Sequence, residues 1–123
     1  MVGTEAQLIS NISKLEFRTS DIKILLITQA HYDHVGTLSK LQQISGADVY
    51  ATRGDAPILE SGGHSDPYFG PAKRCLFEKV KVKRQLTHND TIILGKIVLF
   101  VHEHPGHTRG SSSYSLTIRN KDK

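Results

Sequence analysis

The sequence predicts a layered α/β fold, and three features of the hydrophobic pattern support this. A nearly continuous apolar run covers residues 22–27, which is typical of a strand covered on both faces. Amphipathic helical patterns precede and follow this run, at residues 4–14 and 36–46. The second half of the chain then alternates short apolar runs with turn residues, which predicts a series of strands.

The first predicted helix, at residues 4–14, shows helical spacing of its apolar side chains. Leu8, Ile12 and Leu15 recur every three or four residues, and Thr4 is placed to serve as the N-cap. The strand at residues 22–27 follows directly.

Three further elements are predicted between the apolar strand and the first long loop. The helix at residues 36–46 ends at Gly46, a suitable C-cap. A short strand is expected at residues 48–51. A short helix is expected at residues 55–59, where Pro57 is tolerated because it lies near the helix start.

Turn residues separate the remaining elements. Residues 61–67 form a loop by composition, and turns are predicted at residues 89–90 and 95–96. The strands between them are predicted at residues 76–86, 91–94, 97–102 and 112–118.

Composition and charge indicate a globular protein without a nucleic-acid-binding surface. Charged residues make up 23% of the 123 residues and no tract is of low complexity, which argues against disorder. The net charge is +4. Lys79, Lys81 and Lys83 alternate with Val80 and Val82, which favours a solvated amphipathic strand over a nucleic-acid-binding stripe.

The cysteine count and the hydropathy argue against an internal disulfide and against a membrane-spanning segment. Cys75 is the one cysteine of the chain, so no internal disulfide forms and an idle thiol is the expectation. No stretch approaches the roughly 20 apolar residues of a membrane span. Residues 1–5 lack the features of a signal peptide. We therefore expect neither a membrane nor a nucleic acid among its partners.

The motif Gln-Ala-His-Tyr-Asp-His, at residues 29–34, is the strongest functional signal. In an extended segment alternate residues project to one side, so Gln29, His31 and Asp33 are expected to converge, with His34 pointing to a neighbouring position. His107, in a Pro-Gly turn after a predicted strand, supplies a distant imidazole. Zinc binds imidazole nitrogen and carboxylate oxygen, and catalytic zinc keeps a position open for water. The pattern predicts zinc-dependent hydrolysis.

These residues resemble the metallo-β-lactamase superfamily, whose usual signature is His-x-His-x-Asp-His. Gln29 at the first position, the Ser-Gly-Gly at residues 61–63 and the His-Pro-Gly-His-Thr-Arg-Gly-Ser at residues 104–111 resemble its subclass B3. Within that subclass the chain most resembles the GOB-type enzymes, which carry a glutamine at the same place. The resemblance runs from about residue 5 to residue 116.

The resemblance implies an αββα sandwich that is incomplete here, with the N-terminal strands and a C-terminal segment absent. Residues 1–123 would be a partial domain of the family. Gln29, His31 and His107 would hold a first zinc ion, and Asp33 and His34 would contribute to a second. A further histidine of the second site has no match in the chain, and the glutamine amide would weaken the first site.

The resemblance also implies an activity. A zinc-bound hydroxide would open the β-lactam ring of penicillins, cephalosporins and carbapenems, with Asp33 orienting this nucleophile and Tyr32 lining the substrate groove. The intact parent would be a periplasmic or secreted monomer that confers antibiotic resistance. We expect the 123-residue chain alone to be inactive and its uncovered apolar faces to favour aggregation.

Two alternatives remain open from the sequence. The chain can derive from another hydrolase of the superfamily, such as a thioester hydrolase or a lactonase, although those enzymes usually keep the histidine that Gln29 replaces. It can also be a truncated product without catalytic activity. The serines at residues 111–113 lack a paired base, so a serine nucleophile is not expected.

Overall fold

A computed structural model describes residues 4–120 and confirms the predicted α/β class. Short 3₁₀ turns at Thr19–Asp21 and Lys73–Cys75 accompany the regular elements. The helices described are α1 (Glu5–Lys14), α2 (Tyr32–Val35), α3 (Leu38–Ser45) and α4 (Ala56–Glu60). The strands described are β1 (Ile24–Leu26), β2 (Asp48–Thr52), β3 (Val82–Leu86), β4 (Thr91–Leu94), β5 (Ile97–Glu103) and β6 (Ser112–Ser115).

The strands form two three-stranded sheets. Strands β1, β2 and β3 are parallel and lie in that order, whereas β4, β5 and β6 are antiparallel. Parallel neighbours need crossover connections, and α2 with α3 supplies the one from β1 to β2. As in other α/β folds, the side chains that follow the parallel strands meet at one edge of the sheet.

The parallel sheet is covered on both faces, as the apolar run at residues 22–27 predicted. Alternate residues of a strand face opposite sides. Val49 and Ala51 of β2 lie in a core shared with the helices. Ile24, Leu26 and Tyr50 face the other way. They pack on a second core formed by Leu86, Ile92 and Val101.

The outer face of the antiparallel sheet is largely uncovered. Ile93, Val98 and Phe100 alternate with the buried Ile92 and Val101, and Ile93 is 65% exposed. Three layers are therefore present between residues 4 and 120: helices, parallel sheet and antiparallel sheet. The second helical layer of the predicted sandwich is not among these residues.

The strand predicted at residues 76–86 is shorter than expected, because the preceding segment bonds to the region of α4. The backbone N–H of Phe77 donates to the carbonyl of Gly62, and that of Val80 donates to Leu59, both at 3.1 Å. Strand β3 therefore begins only at Val82. The predicted burial pattern still holds, since Val80 is buried while its lysine neighbours are exposed.

The last predicted strand is also shorter than expected, ending at Ser115 rather than at residue 118. The predicted glycine cap is correct: Gly46 follows α3 with φ of 70° and donates to the carbonyl of Gln42. Among the described residues, none forms a helix long and apolar enough to cross a membrane.

The core between the parallel sheet and the helices predicts a large contribution of Leu59 to the free energy of unfolding. Leu59 is fully buried, so Leu59→Ala should lower the free energy of unfolding by about 2–5 kcal/mol. Leu15→Ala is the matched control because Leu15 is 70% exposed. Urea unfolding followed by circular dichroism measures both. Equal losses in the two variants would contradict the described packing.

Candidate metal centre

The predicted ligand motif follows strand β1, but its conformation differs from the expected extended run. His31 is extended, with φ of −78° and ψ of 150°, and is the residue before α2. Its carbonyl accepts the backbone N–H of His34 at 2.9 Å, so the helix begins at Tyr32. The expected alternation is thus lost after His31, and Asp33 lies in the first turn of α2 with a 72% exposed side chain.

His107 approaches the motif from the turn after β5. Nδ1 of His31 lies 3.2 Å from Nε2 of His107, and the ring centroids are 4.8 Å apart. His31 is buried, whereas His107 is exposed at the surface. The structure therefore brings together two imidazoles that are separated by 76 positions in the sequence.

The separation of these two nitrogens fits a shared zinc ion. Nitrogens bound to one zinc at 2.0–2.1 Å in a tetrahedral arrangement lie about 3.3 Å apart. The observed distance of 3.2 Å agrees with this value. Two imidazole lone pairs this close also require a proton or a cation between them. The pair is consequently suited in atom type and spacing to bind a metal.

The other predicted ligands form a second group. Nε2 of His34 lies 3.0 Å from the amide nitrogen of Gln29 and 3.5 Å from Oδ2 of Asp33. Oε1 of Gln29 is buried and has no hydrogen-bond partner. A buried carbonyl oxygen without a donor is an acceptor that a cation would satisfy. Gln29 thus contacts His34 directly, although the resemblance groups it with His31 and His107.

The candidate ligand atoms do not surround one common metal position. Among residues 4–120, no group of three His, Cys, Asp or Glu side chains is placed to hold a metal. Gln29 is an amide and falls outside these residue types. The donor set described here consists of two pairs of side chains and this amide oxygen.

Asp66 contacts His31 and was not identified from the sequence. Its Oδ2 lies 3.1 Å from Nε2 of His31, although the N–H direction is too oblique for a hydrogen bond. Its Oδ1 accepts the backbone N–H groups of Tyr68 and Phe69, both at 2.8 Å. A carboxylate beside Nε2 favours the tautomer protonated there, which leaves the lone pair of Nδ1 facing His107.

The sequence around Asp66 did indicate that this residue takes part in a turn. It precedes a proline in a glycine-rich loop, where an aspartate commonly bonds to backbone N–H groups of a turn. The signal indicates a turn, however, and says nothing of the histidine that the carboxylate contacts.

Two cavities flank the His31–His107 pair. One, of about 270 Å³, is also lined by Asp66, Tyr68 and Arg109. The other, of about 320 Å³, is also lined by Tyr32, Asp33, Phe69 and Cys75. Tyr32, the predicted substrate contact, therefore lines a cavity next to both imidazoles. The sequence did not identify Arg109 or Cys75 as lining residues.

The remaining histidines lie outside this cluster. His102 and His104 contact serines of the neighbouring strand region, His102 reaching Ser115 at 2.7 Å and His104 reaching Ser113 at 2.8 Å. His64 and His88 are exposed. His88 exchanges hydrogen bonds with Glu103.

A buried carboxylate lies behind the two ligand loops. Asp55 accepts hydrogen bonds from the Thr108 hydroxyl and from the Gly110 N–H, each at 2.9 Å. The backbone of Ala30 lies close enough to help lower the pKa of this carboxyl. Burial raises the pKa of the Asp55 carboxyl above its ordinary value of 3.8, and these hydrogen bonds oppose the shift.

Comparison with known proteins gives one family. A sequence-family model for the metallo-beta-lactamase superfamily matches residues 2–120. Among curated proteins, an uncharacterised protein of Mycobacterium tuberculosis strain H37Rv is 31% identical over 108 residues, covering 80% of this chain and 46% of its own length. The chain thus spans about half the length of the curated relatives it matches.

Solved structures give a consistent result. The class B3 di-zinc metallo-beta-lactamase LRA-12 from an Alaskan soil metagenome is 42% identical with a TM-score of 0.89, over 96% of this chain and 44% of that one. The metallo-beta-lactamase GOB-18 from Elizabethkingia meningoseptica is 41% identical with a TM-score of 0.85, over 93% of this chain and 42% of that one. Both support the predicted fold and the predicted resemblance.

The raised pKa of Asp55 predicts a specific pH dependence. The folded state binds this proton more tightly than the unfolded state does, so the contribution of Asp55 to stability is fully present below its ordinary pKa. That contribution is lost as the pH rises through the raised pKa. The free energy of unfolding of the wild type, relative to Asp55→Asn, should therefore fall as the pH rises above the ordinary pKa of 3.8 and through the raised one.

Urea titrations at several pH values measure this difference. Asp48→Asn serves as the control because Asp48 is exposed. A wild-type advantage over Asp55→Asn that grows with pH would contradict the prediction.

Proposed function

Because the chain belongs to the metallo-β-lactamase superfamily, we propose that it carries the metal-binding half of a zinc-dependent hydrolase that opens β-lactam rings. The observation that carries the proposal is the 3.2 Å separation of the His31 and His107 nitrogens. That separation matches the spacing of two ligands on one zinc ion.

The described residues divide into two sets of candidate ligands. His31 and His107 would hold one zinc ion together with the Gln29 carbonyl oxygen, which has no other partner. Asp33 and His34, 3.5 Å apart, would contribute to a second. Zinc bound in such sites lowers the pKa of a water molecule and polarises a carbonyl group.

The protein groups around these ligands supply orientation and proton handling. The Asp33 carboxylate is exposed at the cavity that His31 and His107 also line. It is therefore placed to orient a water molecule and to accept its proton at a carboxylate oxygen. The carboxylate of Asp66 favours the His31 tautomer protonated at Nε2, and the ring of Phe69 meets that imidazole edge-on at 4.9 Å.

Cavity size and surroundings support a small-molecule substrate. The two cavities, of about 270 and 320 Å³, meet at the histidine pair, and together they fall in the range of small-ligand sites. Arg109 lines one of them and is placed to attract an anionic substrate. β-Lactams of the predicted classes carry a carboxylate. Tyr32 would line the opposite side of the substrate.

Zinc binding by the chain itself is the first test. We expect the 123-residue chain to bind zinc, and His31→Ala and His107→Ala to weaken binding by about tenfold or more, because each variant removes one ligand. His64→Ala is the matched control because His64 is exposed and outside the cluster. Competition with a chromophoric chelator gives the dissociation constants. Equal affinities in all four proteins would contradict the assignment of ligands.

Hydrolysis is best tested in a protein of the relatives' length. Replacing the matched segment of GOB-18 with this chain should give an enzyme that hydrolyses a chromogenic cephalosporin, whereas the 123-residue chain alone should not. Asp33→Asn in the chimera should lower kcat by about 10²-fold or more, since it removes both the proton acceptor and a candidate zinc ligand.

The chimera also separates the proposal from its rivals. A folded, zinc-loaded chimera that cleaves thioesters or lactones but no β-lactam would favour another hydrolase of the superfamily. A folded chimera that binds no zinc would favour a chain without catalytic activity.

A further inference from the structure

We propose that Asp55 is a positioning residue of the metal centre, whose carboxylate sets the distance between His31 and His107. The inference rests on the proposed function in that it takes these two histidines as metal ligands. Asp55 touches neither imidazole, so its effect would pass through the backbone of the two loops that carry them.

The contacts of Asp55 reach both ligand loops at once. Oδ2 accepts the Thr108 hydroxyl and Oδ1 accepts the Gly110 N–H, each at 2.9 Å. The backbone of Ala30 lies close to the same carboxylate. Thr108 is the residue after His107, and Ala30 is the residue before His31. One buried group therefore hydrogen-bonds to the segment that follows His107 and lies beside the residue that precedes His31.

Close backbone packing makes this attachment rigid. The Thr52 hydroxyl donates to the Gly110 carbonyl at 2.7 Å. A Cβ atom added at Gly110 would lie 2.5 Å from the backbone nitrogen of Asp55, and one added at Gly54 would lie 2.5 Å from the carbonyl of Arg109. The segment after His107 thus lies directly against the loop before α4, with no space for a side chain between them.

On the other side of His107 the hydrogen bonds stay within the same loop: the Gly106 N–H donates to the Thr108 carbonyl at 2.9 Å, and the His104 N–H donates to the Ser111 carbonyl at 2.6 Å. A Cβ atom added at Gly106 would meet nothing within 4 Å, and His107 itself is exposed. A second link between the loops runs from the Ser112 N–H to the Thr28 carbonyl at 2.8 Å, but it lies farther along the chain from both ligands. The position of His107 accordingly depends on what holds residues 108–110.

A carboxylate suits this position better than an amide does. Both groups that hydrogen-bond to the Asp55 side chain are donors. An ionised carboxylate offers acceptor sites on both oxygens, whereas an asparagine offers one oxygen and a donor NH₂ group. In Asp55→Asn the NH₂ group would face a donor, and a buried donor without an acceptor destabilises its surroundings.

The experiment compares metal binding and geometry in the 123-residue chain and its variants. Zinc affinity is measured by chelator competition, and the ligand-field spectrum of the Co²⁺-substituted protein reports the arrangement of the ligands. The nuclear Overhauser effect between the His31 and His107 rings reports their proximity in metal-free protein. Asp55→Asn should weaken zinc binding by about tenfold, alter the Co²⁺ spectrum and reduce the ring-to-ring effect.

Two further substitutions keep the test informative if Asp55→Asn does not fold. Thr108→Val removes the hydroxyl that donates to Asp55 with little change in shape, and it should reproduce the loss of affinity. Thr108→Ser keeps the hydroxyl and should restore the wild-type affinity and spectrum. Asp48→Asn, at an exposed position, controls for the loss of one negative charge.

The outcomes distinguish this inference from the proposed function. Wild-type affinity and spectra in both Asp55→Asn and Thr108→Val, alongside lost binding in His31→Ala, would overturn the positioning role and leave the metal site standing. A wild-type chain that is folded by circular dichroism and binds no zinc would overturn the proposed function. In that case a ring-to-ring effect that Thr108→Val abolishes and Thr108→Ser keeps would still support the positioning role.

Discussion

The buried carboxylate of Asp55 joins two stretches of chain that are far apart in sequence. It accepts hydrogen bonds from the segment after His107 and lies beside the residue before His31. Both stretches leave their strands at the same edge of the fold. This shared edge alone does not determine the distance between their side chains. The hydrogen bonds to Asp55 restrict the segment after His107, and under the proposed positioning role this restriction keeps the two imidazoles 3.2 Å apart.

Much of the framework was predictable because local signals determine it. The apolar run at residues 22–27 predicted a strand covered on both faces, and Gly46 predicted the end of α3 from the left-handed conformation that glycine adopts easily. The strand limits at residues 76–86 were not predictable in the same way. Their alternation of lysine and valine fits a strand, but the backbone of that segment bonds to the α4 region instead.

The residues of the candidate site were partly predictable from the sequence. The spacing of residues 29–34 identified the candidate ligands, and the structure places His107 beside His31. The conformation of Asp33 was missed, because a helix that starts at Tyr32 depends on the backbone and not on the spacing of donors. The roles of Asp55 and Asp66 were missed as well, since their partners lie far away in sequence or are side chains that no pattern connects to them.

The unequal burial of the two imidazoles has a kinetic consequence. His31 is enclosed between Asp66, Phe69 and the core, whereas His107 stands on an open turn at the rim. Exchange of a bound cation with solvent would therefore proceed on the rim side, through reorientation of the outer ring while the inner ring stays fixed. The lifetime of the occupied state would then follow the local motion of residues 104–107 and not the global unfolding rate.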